Sequence, residues 1–150
     1  MQTAKQLSVS LLNKPGRLAD MLAALNKGKA GFRALAVMDS GEHGMVRFVP
    51  DDFAAATTVL DKLNIRYEAA DVLLVDIPSQ SGGFGKICEK IAAEHLNIDY
   101  AYCSFNVGGK QKGSVSAVVK VNDLAKAQRV LSENGTVRKK MPFRRPAAVR

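Results

Sequence analysis

A chain of 150 residues with 47% apolar content and a mean hydropathy of −0.06 has the composition of a soluble globular protein, with room for one ordinary domain or two small ones. No apolar run approaches the ~20 residues of a membrane helix, two cysteines (Cys88 and Cys103) do not make a disulfide framework, and residues 1–5 lead straight into an alternating pattern rather than a signal peptide, so a cytoplasmic protein away from membranes is expected. Of the net charge of +8, +6 falls after residue 135, on Arg138, Lys139, Lys140, Arg144, Arg145 and Arg150, so the body is nearly balanced and the basicity reads as a solvated tail.

Residues 5–12 alternate Leu7, Val9 and Leu11 against Gln6, Ser8 and Ser10, the period of a half-buried strand. Asn13-Lys14-Pro15-Gly16-Arg17-Leu18 then turns the chain into a helix over 16–27, in which Asn13 can cap or bond its own backbone, Pro15 presets φ, and Gly28 stops the helix. Strands over 32–38 and 45–49 flank the polar turn 39–44 as a hairpin. Pro50-Asp51-Asp52 opens a second helix with Phe53, Ala56, Leu60 and Leu63 on one face, and residues 65–70 make a fourth strand. The order is β-α-β-β-α-β.

The order then repeats. A strand over 72–77, a turn over 78–83 and a helical stripe of Phe84, Ile87, Cys88 and Ile91 are followed by strands over 98–105 and 114–121. Asn122-Asp123 caps a helix faced by Leu124, Ala127 and Leu131, and residues 136–143 supply a last strand. A shift of 66 maps Leu7, Val9 and Leu11 onto Leu73, Val75 and Ile77, Gly16 onto Gly82, and Leu25 onto Ile91. After the hairpin the shift becomes 71, taking Asp52 to Asp123 and Leu60 to Leu131, so the second hairpin loop, 106–113, holds about five extra residues. The expected fold is α+β: two ferredoxin-like units, 1–70 and 71–143, each an antiparallel sheet with two helices on one face, followed by the basic tail 144–150. Units of ~70 residues have thin cores, so the two should dock.

A β-α-β-β-α-β unit whose first turn reads Asn-x-Pro-Gly-x-Leu resembles the ACT domain, and residues 13–18 match that motif in full. The resemblance runs from residue 5 to about 131 as a tandem pair, similar to small stand-alone bacterial ACT proteins. It implies an amino-acid-sensing, non-enzymatic regulator with units paired side by side through their second strands. The ligand would lie where one unit's first turn faces the other unit's second strand. The implied turn residues are Asn13, Pro15, Gly16, Arg17 and Leu18, with Ser79, Gly82, Gly83 and Phe84 in the second unit, where Ser79 and Ser81 replace the motif's Asn and Pro. The implied partners are a free amino acid, a second copy bound through sheet edges or helices, and a regulated enzyme or regulator protein. No cofactor or metal is implied.

The residues suit that ligand. Backbone N–H groups at a helix start attract carboxylates, here those of Gly16, Arg17 and Leu18. An ammonium seeks oxygens, which Asn13, Asp39 and Ser40 offer, as do Tyr102 and Ser104 from the second unit. Arg17 reads more simply as a solvated helix residue, and Tyr100, on the same strand face as Tyr102, as packing. Catalysis and metal binding lack a constellation: His43 lies in a hairpin turn, His95 near a helix end, and the His and Cys residues have no ligand spacing. Ser81-Gly82-Gly83-Phe84-Gly85-Lys86 lacks the spacing of a nucleotide loop. Two other readings use the same topology. A partner-binding module without ligand needs no further residues. RNA binding needs exposed aromatics on the first and third strands, where only Phe48 is present, so nucleic acid is not an expected partner.

Overall fold

The computed structural model describes residues 2–78, 81–104 and 115–132. Along them run β1 (Gln2–Leu12), α1 (Arg17–Lys27), β2 (Phe32–Ser40), β3 (His43–Pro50), α2 (Phe53–Lys62), β4 (Tyr67–Ile77), α3 (Gly83–Ala93), β5 (Ile98–Cys103), β6 (Val115–Val121) and α4 (Leu124–Ser132). None of the described helices is long and apolar enough to cross a membrane. The strands form one antiparallel six-stranded sheet in the order β2-β3-β1-β4-β6-β5.

Two ferredoxin-like units are fused in that sheet. The sequence suggests separate strands on either side of residue 71, but β4 runs unbroken from Tyr67 to Ile77 and serves both units. Its first part pairs with Gln6–Val9 of β1 and closes the first unit; its second part pairs with β6 and opens the second. The expected last strand, 136–143, lies outside the described residues, as does the tail. Its expected place beside Val72–Leu74 is held by Gln2, Thr3 and Ala4 of β1, so each unit borrows its fourth strand from the long strand it shares.

The register makes the repeat geometric. The shift of 66 carries Lys5 onto Asp71, and those two residues face each other across β1 and β4, joined by an ion pair at 2.8 Å. A pseudo-twofold axis therefore passes through that pair. The two outer strands, β2 and β5, meet through the bridge Ala34–Ser104, whose antiparallel sense sets Ala36 opposite Tyr102, again residues related by 66. The sheet thus curls until its edges touch.

Helices cover the outside of the curl. One core joins Leu7, Val9, Met21, Leu25, Val46, Phe48, Ala56 and Leu60 beneath α1 and α2. The other joins Leu73, Val75, Ile87, Ile91, Ala117, Val119, Ala127 and Leu131 beneath α3 and α4. These are the same positions by the shifts of 66 and 71, and each fully buried aliphatic side chain contributes roughly 1.5–3 kcal/mol. A third cluster, Ala34, Val49, Val72, Leu74 and Val118, fills the inside of the curl. It comes from the strand faces that two independent one-faced sheets would have left open.

Helix ends differ in detail from the sequence reading. Gly28 does follow α1, but at φ −79; the left-handed residue is Lys29, at φ 56. Gly28 is kept small by packing, since a Cβ there would collide with Val59 Cγ2 on α2. Asn64 after α2 and His95 after α3 take the same left-handed turn, and His95 is the repeat partner of Lys29. That gives the histidine a place in chain reversal at a helix end.

Candidate functional site

The turn after β1 sets the geometry of the first candidate site. Asn13 donates its backbone N–H to Glu42 O at 2.9 Å, tying the turn to the tip of the β2–β3 hairpin. Asp39 Oδ1 accepts from Gly41 N at 3.1 Å, and Gly41 has φ 76, so the hairpin tip is held by its own side chain. Asn13, Pro15, Gly16, Arg17, Asp39 and Ser40 are all exposed, and Leu18 is half-buried against the first core. Asn13 does not cap the helix: the N-cap is Gly16 at φ 87, and the helix begins at Arg17. A Cβ at Gly16 would meet nothing within 4 Å, so the glycine is set by its backbone angle and not by crowding. The amides of Leu18 and Ala19 point out of the helix start with no acceptor among the described residues.

The second unit repeats this start. Gly82, with φ 79, is the N-cap of α3, which also lacks a side-chain cap, and a Cβ there would again meet nothing within 4 Å. Gly83 differs: a Cβ would come within 2.6 Å of Pro78 O, so this residue is small because α3 packs directly on the strand end. Phe84 packs against the second core. Ser79 lies outside the described residues. The other two helices open in another way. Asp52 Oδ1 accepts from Ala55 N at 3.0 Å at the start of α2, and Asp123 Oδ1 accepts from Lys126 N at 3.0 Å at the start of α4.

A polar seam crosses the inside of the curl. Gln6, on β1, is fully buried. Tyr102 Oη donates to Gln6 Oε1 at 2.7 Å, while Gln6 Nε2 donates to Tyr100 Oη at 2.5 Å and, at 3.4 Å, to Ser8 Oγ. The guanidinium of Arg47, on β3, stacks on the Tyr100 ring with Cζ 3.8 Å from its centroid. One glutamine thus links both tyrosines of the second unit to the central strand of the first. Burial pushes the Tyr102 phenol well above its usual pKa; Tyr100 adds to the shift and Arg47 opposes it.

The sequence-derived site is therefore divided. The structure brings residues 13–18 together with Asp39 and Ser40 at one end of the first unit. It does not bring Tyr102 and Ser104 to that turn within the chain: Tyr102 is bonded to Gln6, seven residues before Asn13 along β1, roughly 20 Å of strand. Ser104 bridges to Ala34. The two glycine turns lie at opposite ends of the antiparallel β1–β4 pair, roughly 40 Å apart. Gln6 and Arg47 escaped the sequence reading because they occupy the polar phase of alternating strands, which reads as solvent-facing. Phe48, the aromatic on which an RNA platform would rest, is 1% exposed in the helix-side core.

Comparison with known proteins agrees with this architecture. The family model described as an ACT domain pair matches residues 2–138. Among solved structures, the protein BT0572 from Bacteroides thetaiotaomicron superposes with a TM-score of 0.79 at 26% identity, covering 88% of each chain. The ligand-free regulatory subunit of aspartate kinase from Thermus thermophilus gives 0.59 at 15% identity, covering 91% of this chain and 99% of that one. The corresponding subunit from Thermus flavus gives 0.56 at 18%, covering 88% and 94%. Comparison with curated proteins gives no match. With a family model spanning nearly its whole length and both units in register, the chain belongs to the family of ACT domain pairs.

Proposed function

We propose that this chain is a regulatory protein, without catalytic activity of its own, that binds a free amino acid at the glycine-led helix start of residues 13–18. The observation that carries the reading is the contrast between helix starts: α2 and α4 are closed by Asp52 and Asp123, whereas α1 and α3 open on left-handed glycines with no side-chain cap. Uncapped N–H groups at the positive end of a helix suit the ligand's carboxylate. Asn13 and Asp39 offer oxygens to its ammonium on the same side. In this reading a second copy supplies the strand that faces the turn. The second start, at Gly82, is a weaker site because Ser79 and Ser81 replace the motif's Asn and Pro.

The Thermus neighbours are regulatory subunits of aspartate kinase. By that analogy a separate enzyme or regulator reads out the bound state of this chain. A ligand shifts such a partner only by favouring one arrangement of the pair over another. Calorimetric titration with each proteinogenic amino acid tests the reading: one of them releases or absorbs heat with a defined stoichiometry, and Asn13→Ala weakens that binding. No heat from any amino acid, in protein folded by circular dichroism, overturns it.

A further inference from the structure

Arg47 stands apart from the ion-paired cations of the structure. Lys5 lies 2.8 Å from Asp71, Arg33 3.4 Å from Asp51 and Lys120 3.9 Å from Asp99. Arg47 has no carboxylate in reach among the described residues, and its Nε is buried without a hydrogen-bond partner. Its contacts are the Tyr100 ring and, from Nη1, the Met38 sulfur at 3.8 Å, a weak acceptor. Half-buried cations are ordinarily paired, and a buried N–H left unmade is costly.

We propose that Arg47, Ser8 and Tyr100 bind a small monocarboxylate at the seam between the two units, a site separate from the helix starts and independent of their reading. Ser8 is the cross-strand partner of Arg47. The Ser8 and Tyr100 hydroxyls both accept from the same nitrogen, Gln6 Nε2, so each keeps its own proton for another acceptor, and none is present among the described residues. Among the described residues these three donors find no oxygen acceptor, and the flat guanidinium edge is the group that pairs with a carboxylate.

The neighbouring charges set the class of anion. Glu68 faces Ser8 from the other side, on β4, exposed and without an ion pair among the described residues. Its negative charge disfavours doubly charged phosphate or sulfate and tolerates a single charge. Ser8 and Glu68 both line an open groove of about 830 Å³ with Ser10 and Met45, whose remaining charged walls are Asp61 and Arg66. Of the three donors, Ser8 is the one that lines this groove.

The test is proton–nitrogen NMR of the arginine Nε–H signals during titration with sodium acetate, with chloride and phosphate at matched ionic strength. One signal, identified by its loss in Arg47→Lys, shifts saturably with acetate and not with chloride. Tyr100→Phe and Ser8→Ala each weaken the binding about tenfold, the loss expected of one charge-assisted hydrogen bond. Gly16→Asp, which alters the helix start, leaves it unchanged. A shift that grows without saturation, that chloride reproduces, or that phosphate produces more strongly than acetate overturns the proposal. Ser8→Ala removes a single hydroxyl from a half-buried position, so it decides the matter even where Arg47→Lys disturbs folding; unchanged acetate affinity in that variant likewise overturns it.

Discussion

The four described helices begin in two ways, and the difference follows position in the repeat. The second helix of each unit, α2 or α4, is closed by an aspartate whose carboxylate accepts an early amide. The first helix, α1 or α3, follows a strand through a glycine turn and leaves its early amides without a side-chain partner. An aspartate cap is worth about 1 kcal/mol over alanine but only a few tenths over glycine, and Gly16 and Gly82 sit at positive φ, where an L side chain is strained. Both units place a glycine there because the turn into the helix is left-handed at that residue.

The contrast can be broken at its centre. Gly16→Asp turns an open start into a charged one and sets a carboxylate where the ligand's would lie. Amino-acid affinity measured by calorimetry should fall about a hundredfold, equivalent to ~2.7 kcal/mol. Unchanged affinity would show that the helix start is not the site.

Next comes the pair of glycines inside the second open start. Gly83→Ala drives a Cβ toward Pro78 O and should lower stability by ~1–3 kcal/mol in urea unfolding. Gly85→Ala, where a Cβ meets nothing within 4 Å, should raise it by up to ~1 kcal/mol through helix propensity. Equal effects would mean that the crowding at Pro78 is not real.

The smallest effect sharpens the comparison from the closed side. Asp52→Ala should cost about 1 kcal/mol of stability, read as a drop in Tm, while ligand affinity stays unchanged. A loss of affinity as large as that from Gly16→Asp would dissolve the distinction between the two kinds of start.

Much of this was legible before any coordinates. The strand phase of Leu7, Val9 and Leu11, the helical stripe of Met21 and Leu25, and the Asp52 and Asp123 caps are local patterns, and each appears where the spacing placed it. The candidate site was legible only in part. Residues 13–18 with Asp39 and Ser40 do gather at one end of the first unit, because a strand, its turn and an adjacent hairpin tip are bound to meet. Tyr100 and Tyr102 are read from the sequence as sharing a strand face, and both meet Gln6, but that partner could not be named, since Gln6 and Tyr102 are 96 residues apart and no local period links them.

The sequence alone determined the kind and order of most elements, their duplication and the aspartate caps of α2 and α4, because those follow from periodicity and from the conformational limits of Gly, Pro and Asp. Tertiary structure alone decided that one strand serves both units, that the start of β1 fills the fourth-strand position of the second, and that Gln6 and Arg47 face inward. Alternation states that two faces of a strand differ; it does not state what covers the second face. Only the curl of the sheet, which brings Ala34 to Ser104, turns that polar face into an interior.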